Sequence, residues 1–269
     1  MRPRLIAVGC ALTGILGFLV LSPAARADST APVAPHHVAL TTQAPAPAVP
    51  GKTIAKRVKP GLSISSRVSV YPYATSVALT ITLHGKLAHG RVAVYATPDD
   101  VARRLLGTGT VNSKGQLRVT YRLYKNTTFT AVFAGDARDL PAKTARTLYA
   151  AAHVVTAITG YYKKLRISGL TYDVYHDHGT LTLHSTVTPN KHGECLEPET
   201  EQFDPGVGWD ADTKYGCDKL DSHSHDSAPF SLVQAVGDKY RIRADFLHSD
   251  RDAANLSADS GWLYFDVVK

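Results

Sequence analysis

The chain of 269 residues has a formal net charge of +7, with 30 lysine and arginine residues against 23 aspartate and glutamate residues. No lysine or arginine cluster concentrates this charge, so it does not indicate a nucleic-acid-binding protein. The basic balance indicates at most a weak affinity for anionic polymers of the cell envelope.

A signal peptide is predicted at the start of the chain. Residues 1–4 contain two arginines, residues 5–21 are mostly apolar, and Ala25-Arg26-Ala27 forms an A-x-A cleavage site, so we expect cleavage after Ala27. An uncleaved membrane anchor is the alternative, but the apolar run is at the short limit for a membrane span. We therefore expect no stable membrane span in the mature form. Cleavage removes three arginines, which lowers the formal charge from +7 to +4.

A linker is predicted over residues 28–58. Its first part is rich in proline and alanine and has no apolar periodicity. Such a segment buries too little apolar surface to offset the entropy of ordering it. We interpret it as a flexible or semi-extended tether.

The segment from residue 59 to residue 151 is predicted to be a β-sandwich. Apolar residues alternate with others over Val77–Leu83, Leu117–Leu123 and Phe129–Phe133, as expected for strands with one buried face. About seven short strands, separated by glycine and asparagine turns, favour an antiparallel sandwich. Pro98–Leu106 is predicted to form one or two helical turns at most.

The segment from residue 152 to residue 269 repeats the pattern. Strands are predicted at five places: His153–Ile158, Leu181–Val187, Phe230–Val236, Tyr240–Leu247 and Trp262–Val268. Phe129–Phe133 and Ile242–Phe246 each precede an acidic turn and a final strand, which indicates an internal repeat. Residues near 193–228 are polar with weak periodicity, so they are predicted to be a disulfide-stapled insertion.

The first sandwich resembles the bacterial immunoglobulin-like (Ig-like) repeats of exported actinobacterial proteins, of the group 3-like type. The resemblance is carried by four segments: Gly90–Tyr95, Leu106–Val111, Lys114–Val119 and Thr128–Asp136. Residues 152–269 look like a related second domain. The resemblance implies spacer, adhesive or surface-display roles and supplies no catalytic residues, although fold likeness alone does not determine function.

Cys195 and Cys217 are the cysteines that remain after cleavage, because Cys10 leaves with the signal peptide. Two cysteines in an exported protein most simply form one disulfide. Two free thiols or a metal-binding pair are the alternatives.

A possible metal site combines two histidine-containing segments. Asp221, His223 and His225 alternate along the chain and would share one face of an extended segment, and His176 and His178 could supply further ligands. These spacings match no established zinc pattern, and a polar surface loop is the alternative.

Trp209 is a candidate for sugar stacking, because it lies between glycines in the predicted polar segment. A secreted hydrolase is a minor alternative: Glu197, Glu199 and Glu201 are paired carboxylates of the kind glycosidases use, but they lie in an acidic segment without a recognisable cleft. No G-x-S-x-G motif of a serine nucleophile occurs either. No catalytic residue and no cofactor is predicted.

The fold prediction is therefore all-β: two tandem Ig-like antiparallel β-sandwiches, 59–151 and 152–269, after a cleaved signal peptide (1–27) and a Pro/Ala-rich linker. The function prediction is a secreted, non-enzymatic interaction, spacer or adhesive module with an unknown extracellular or cell-envelope partner. A module that binds a glycan or divalent metal through the Cys195–Cys217 loop is the alternative. The protein would be released, or held non-covalently at the cell wall.

Overall fold

A computed structural model of the protein describes residues 56–85, 90–233, 236–249 and 252–269. The predicted signal peptide and the linker up to residue 55 lie outside the described residues. At the end of the predicted linker, Val58 forms a β-bridge with Asp139, and its carbonyl accepts a hydrogen bond from Leu140 N at 2.8 Å.

The N-terminal sandwich consists of eight strands in two sheets. The three-stranded sheet has the order β1-β3-β6 and the five-stranded sheet has the order β2-β8-β7-β4-β5. The strands are β1 (Gly61–Ser65), β2 (Val70–Pro72), β3 (Thr75–His84), β4 (Arg91–Pro98), β5 (Arg104–Thr110), β6 (Gln116–Leu123), β7 (Thr127–Phe133) and β8 (Ala142–Ala151).

The alternation of apolar residues determines which faces of these strands are buried. Leu79 and Ile81 on β3 and Phe129 on β7 have no exposed surface and pack in one core between the two sheets. The helical turns predicted over Pro98–Leu106 are wrong: a turn with Asp100 at φ +55° follows β4, and β5 begins at Arg104.

The C-terminal sandwich consists of the remaining strands in two sheets with a separate core. The three-stranded sheet has the order β16-β12-β9. The eight-stranded sheet has the order β10-β11-β19-β17-β13-β14, with β15 added to β13 and β18 added to β17. The strands are β9 (His153–Thr159), β10 (Lys163–Ile167), β11 (Leu170–His176), β12 (Thr180–Thr188), β13 (Cys195–Asp204), β14 (Gly208–Lys214), β15 (Asp218–Lys219), β16 (His225–Ser231), β17 (Lys239–Leu247), β18 (Ala258–Asp259) and β19 (Leu263–Val268).

The two sandwiches share one strand order. The sheet β1-β3-β6 corresponds to β9-β12-β16, and β2-β8-β7-β4-β5 corresponds to β11-β19-β17-β13-β14. In both, the last strand pairs in parallel with an early one, β2 with β8 and β11 with β19. This division of strands between two sheets is that of an Ig-like sandwich. The segments predicted as a repeat form β7 and β17, which take the same place in this order.

The structure differs from the prediction in the polar segment near 193–228. This segment is not an insertion, because it supplies β13 and β14 of the eight-stranded sheet together with β15 and the start of β16. The inner face of β13 consists of Leu196, Pro198 and Thr200, all buried. A proline and a threonine on the buried face weaken the apolar alternation, which is why the strand was not predicted.

The two sandwiches are hydrogen-bonded to each other within one compact unit that includes Arg57–Lys269. Asn126 on the N-terminal side donates from its backbone N to Ala254 O at 2.7 Å and from Nδ2 to Ala253 O at 2.6 Å. Leu256 N donates to Ala150 O at 2.9 Å. Because one residue separates β8 from β9, these bonds form a short joint between the sandwiches.

Candidate functional site

The candidate site lies on the outer face of the eight-stranded sheet, where β17 and β13 run side by side. Ile242 on β17 is wholly buried, so its neighbours Arg241 and Arg243 point to the opposite, outer face. On β13 the same alternation directs Glu199 and Glu201 outward. The strand register places Glu201 opposite Arg241 and Glu199 opposite Arg243. Opposite charges therefore face each other across the two strands.

Both arginines bind their carboxylates directly. Arg241 Nε donates to Glu201 Oε2 at 2.7 Å, and Arg243 Nε donates to Glu199 Oε2 at 2.9 Å. Arg243 Nε also lies 3.2 Å from Asp245 Oδ1. Burial raises the pKa of Asp245, and the charge of Arg243 opposes this rise. These charge-assisted contacts hold both guanidinium groups in fixed positions.

Two tryptophans pack against the same guanidinium groups. The Cζ atom of Arg241 lies 4.8 Å from the ring centre of Trp209 and 4.3 Å from that of Trp262. Arg243 lies 4.5 Å from the ring of Trp262. These distances are those of cation–π contacts, which are strongest with tryptophan.

Further aromatic rings extend this cluster on both sides. The ring of Trp209 on β14 lies 5.3 Å from that of Phe203 and 5.6 Å from that of Tyr264 on β19. Strands β14 and β19 flank the β13–β17 pair, so these rings lie over the Arg241–Glu201 pair, whose side chains are only 19% and 13% exposed. We call this surface the aromatic–arginine face, and it consists of Phe203, Trp209, Arg241, Arg243, Trp262 and Tyr264.

The composition of the aromatic–arginine face is that of an interaction surface. Tryptophan, tyrosine and arginine are enriched at protein–protein interfaces and dominate their energetics. Trp209, Trp262 and Tyr264 are half-buried, and Phe203 is 38% exposed. The face thus presents aromatic surface to solvent while its charges are already paired.

The predicted Cys195–Cys217 disulfide is present, with a Cα–Cα distance of 5.2 Å. Cys195 is the first residue of β13 and Cys217 immediately precedes β15, so the bond closes the segment that contains β13 and β14. It therefore fixes one end of the strands that carry Glu199, Glu201 and Trp209.

Trp209 lies on a strand rather than in a loop, and one of its ring faces is covered by Arg241 at 4.8 Å. A sugar would stack only on the opposite ring face. Stacking at Trp209 stays a prediction.

Asp221, His223 and His225 form a local turn. The rings of His223 and His225 are 6.2 Å apart. Asp221 Oδ1 accepts hydrogen bonds from the backbone N–H groups of both histidines at 2.8 Å. The bond from His225 is the largest cause that lowers the pKa of Asp221. This oxygen is therefore engaged in stabilising the turn.

His176 and His178 lie at the end of β11, in the other sheet from β16, which begins at His225. The ring of His176 stacks on Tyr162 at 4.1 Å, and His178 Nε2 lies 3.4 Å from Asp177 Oδ2. In the described ranges, no group of three or more histidine, cysteine, aspartate and glutamate side chains is placed to hold a metal ion.

Glu199 and Glu201, weighed as hydrolase carboxylates, instead form ion pairs with arginines from β17. Sequence reasoning did not identify Arg241, Arg243 and Trp262 as members of a site. The available signal was the period-two spacing of glutamates in one segment and of arginines in another, which predicts cross-strand ion pairs once the two strands are neighbours.

Comparisons with known proteins leave the family of this chain open. No family model matches the sequence, and no curated protein matches it. Among solved structures, a C-terminal fragment of intimin in complex with the intimin-binding domain of its translocated receptor is similar at a TM-score of 0.33 and 12% identity, over 73% of this chain and 62% of that chain. A tetra-tandem repeat from the extending region of a large adhesion protein is similar at a TM-score of 0.30 and 15% identity, over 76% of this chain and 49% of that chain. The chain thus spans less than two thirds of either structure. Over its described part, it contains no helix long and apolar enough to cross a membrane.

Proposed function

We propose that this protein is a secreted, non-enzymatic interaction module that binds a protein partner through the aromatic–arginine face. The observation that carries the proposal is the placement of Trp209 and Trp262 at 4.8 Å and 4.3 Å from one guanidinium group on a half-exposed sheet face. Residues of these types supply most of the binding free energy in protein interfaces.

The face is preorganised for binding. Glu201 and Glu199 already hold the arginines, so a partner would not have to order these long side chains. Binding that orders few side chains loses less entropy, and more of the contact energy is left as affinity.

Action outside the cell is supported by the predicted signal peptide and by the disulfide, because disulfides form and persist in oxidising compartments. The protein would be released or held non-covalently at the cell wall. We further propose that both sandwiches belong with the exported actinobacterial Ig-like repeats that the sequence resembles. The proposal assigns no catalytic role to Glu199 or Glu201, since arginines neutralise both carboxylates.

The test is retention of the purified secreted protein on cell-envelope and extracellular fractions, measured at two salt concentrations. Trp262→Ala should weaken the binding free energy by about 2 kcal/mol, which raises Kd about 30-fold, as expected for a residue that dominates an interface. Tyr149→Ala is the matched control, because Tyr149 is a 40% exposed aromatic residue on β8, the strand of the N-terminal sandwich that corresponds to β19. Its retention should equal that of the unmodified protein.

Treatment of the fraction with a protease should abolish retention, whereas treatment with glycosidases should not. Equal retention of Trp262→Ala and the unmodified protein would refute the role of the face. Loss of retention on glycosidase treatment alone would replace the protein partner with a glycan. Retention only at low salt would reduce the interaction to general electrostatics.

A further inference from the structure

Lys191 is buried, which is unusual for a lysine. It lies between β12 and β13, and its side chain is 3% exposed. Its Nζ donates a hydrogen bond to Asn255 Oδ1 at 2.9 Å and pairs with Asp252 Oδ2. The ring of Phe246, which has no exposed surface, lies 5.8 Å from Nζ. An amine, a carboxamide and a carboxyl group therefore meet beside an apolar wall.

Asn255 is held so that its carboxamide cannot turn freely. It has no exposed surface, and its Nδ2 donates to Tyr124 O at 2.9 Å and to Ala150 O at 3.3 Å. These carbonyls fix the nitrogen of the carboxamide away from Lys191 and keep its oxygen directed at Nζ. The carbon Cγ is one bond beyond that oxygen.

We propose that Lys191 and Asn255 form an intramolecular amide bond, with Asp252 as the proton-transfer group. Transfer of a proton from the buried ammonium to the Asp252 carboxylate removes two charges from an apolar site and leaves a nucleophilic amine. The proposal is independent of the binding role proposed for the aromatic–arginine face.

The reaction is balanced without any added reactant. The neutral Nζ attacks Cγ of Asn255, so that the Nζ–Cγ bond forms and the Oδ1 oxygen carries the negative charge of the tetrahedral intermediate. In this intermediate Nζ and Nδ2 are bonded to the same carbon, so Asp252, which pairs with Nζ, can serve both nitrogens. The protonated Asp252 donates its proton to Nδ2 and accepts the proton that Nζ loses on becoming an amide nitrogen, so Asp252 ends protonated. The Cγ–Nδ2 bond then breaks, ammonia leaves, and the carbonyl of the new amide forms again. One ammonia molecule is lost and nothing is oxidised or reduced.

Placement supplies the rate for this otherwise slow reaction. Groups held in contact within a folded protein react with effective molarities many orders of magnitude above those in solution. Asn255 is the expected electrophile rather than Asp252, because the carboxylate form of Asp252 is a poor electrophile. Asp252 is also 20% exposed at its side chain, whereas Asn255 is wholly buried.

The bond would connect the β12–β13 loop with the segment between β17 and β19. That segment bonds to the N-terminal sandwich through Asn255 Nδ2 and through Leu256 N, which donates to Ala150 O at 2.9 Å. A covalent bond here would fix the joint of the two sandwiches from the C-terminal side.

The test is the mass of the full secreted chain after reduction and denaturation. We expect a mass lower than that of the sequence by one ammonia molecule, and after digestion a branched peptide that joins Lys191 to Asn255. A full mass with only linear peptides would overturn the proposal and leave an ordinary buried ion pair. Loss of one water molecule with a branch at Asp252 would overturn the assignment to Asn255.

Two variants separate the roles of the residues. Lys191→Arg keeps the charge but cannot form the amide, so its full mass should be observed. Asp252→Asn keeps the shape of the side chain but cannot accept the proton, so it should also retain the full mass. If the protein without substitutions gives no branched peptide, the proposal is wrong, even where a variant fails to fold. A branched peptide from Asp252→Asn would overturn the role of Asp252.

Discussion

The pairing of Glu199 with Arg243 predicts a measurable loss of stability when the carboxylate is removed. In Glu199→Ala, Arg243 would lose the oxygen that its Nε and Nη2 contact at 2.9 Å and 2.7 Å. Breaking a fully buried pair costs about 3–5 kcal/mol. The Arg243 side chain is 26% exposed and Asp245 stays 3.2 Å away, so we expect about 2 kcal/mol.

Denaturant unfolding of the unmodified protein and the variant measures this loss. Glu197→Ala is the matched control: Glu197 lies two residues away on the same face, 3.9 Å from Lys214, whose side chain is 57% exposed. Its loss should stay below about 1 kcal/mol, as for exposed pairs. If Glu199→Ala loses no more stability than Glu197→Ala, the argument that burial makes this pair important is wrong.

Three further predictions concern the rest of the described chain. Cys195→Ser with Cys217→Ser should lower the free energy of unfolding by about 3 kcal/mol for a sequence separation of 22, and two reactive thiols in unreduced, denatured unmodified protein would contradict the bridge. The pKa of Asp226 is raised above its ordinary 3.8, first by burial and then by the charge of Asp218. The folded state therefore holds the Asp226 proton more tightly than the unfolded chain does. As a result, the free energy of unfolding falls as the pH rises from 3.8 to the raised pKa. Asp226→Asn should therefore be more stable than the unmodified protein at pH 7, with a difference that disappears below about pH 3.8; thermal unfolding at both pH values tests this, and a constant difference would contradict it. Asn126→Ala should lower the free energy of unfolding by about 2 kcal/mol, because Asn126 Nδ2 donates to Ala253 O across the joint and its Oδ1 accepts from Ala150 N beside the joint. Thermal unfolding measures this loss, and an unchanged midpoint would contradict a role of Asn126 in the joint.

The strands predicted from the sequence are those with a strong apolar alternation. Leu79 and Ile81 in β3 and Ile242 and Phe246 in β17 lie in the cores as predicted. Strand β13 was missed because Pro198 and Thr200 occupy its buried face. Period two is a local signal, and it fades wherever the buried residues are polar or small.

For the predicted metal site, the spacing along the chain predicted which residues of one segment lie close together, but not which other segment lies beside them. Asp221, His223 and His225 are close to one another because they are close in sequence. His176 and His178 lie at the end of β11 in the other sheet, which depends on how the strands are ordered. The chemical types were compatible with a metal, but the oxygen of Asp221 is engaged by backbone N–H groups of its own turn.

The sequence by itself determined the all-β class and favoured the pairing of Cys195 with Cys217, which the structure confirms. Both follow from local alternation and from the number of cysteines. The tertiary structure alone decided that Arg241 meets Glu201 across 40 residues and that Lys191 meets Asn255 across 64. Such contacts depend on strand order and register, which join segments far apart in the chain, and the residues of one segment do not specify which other segment becomes their neighbour.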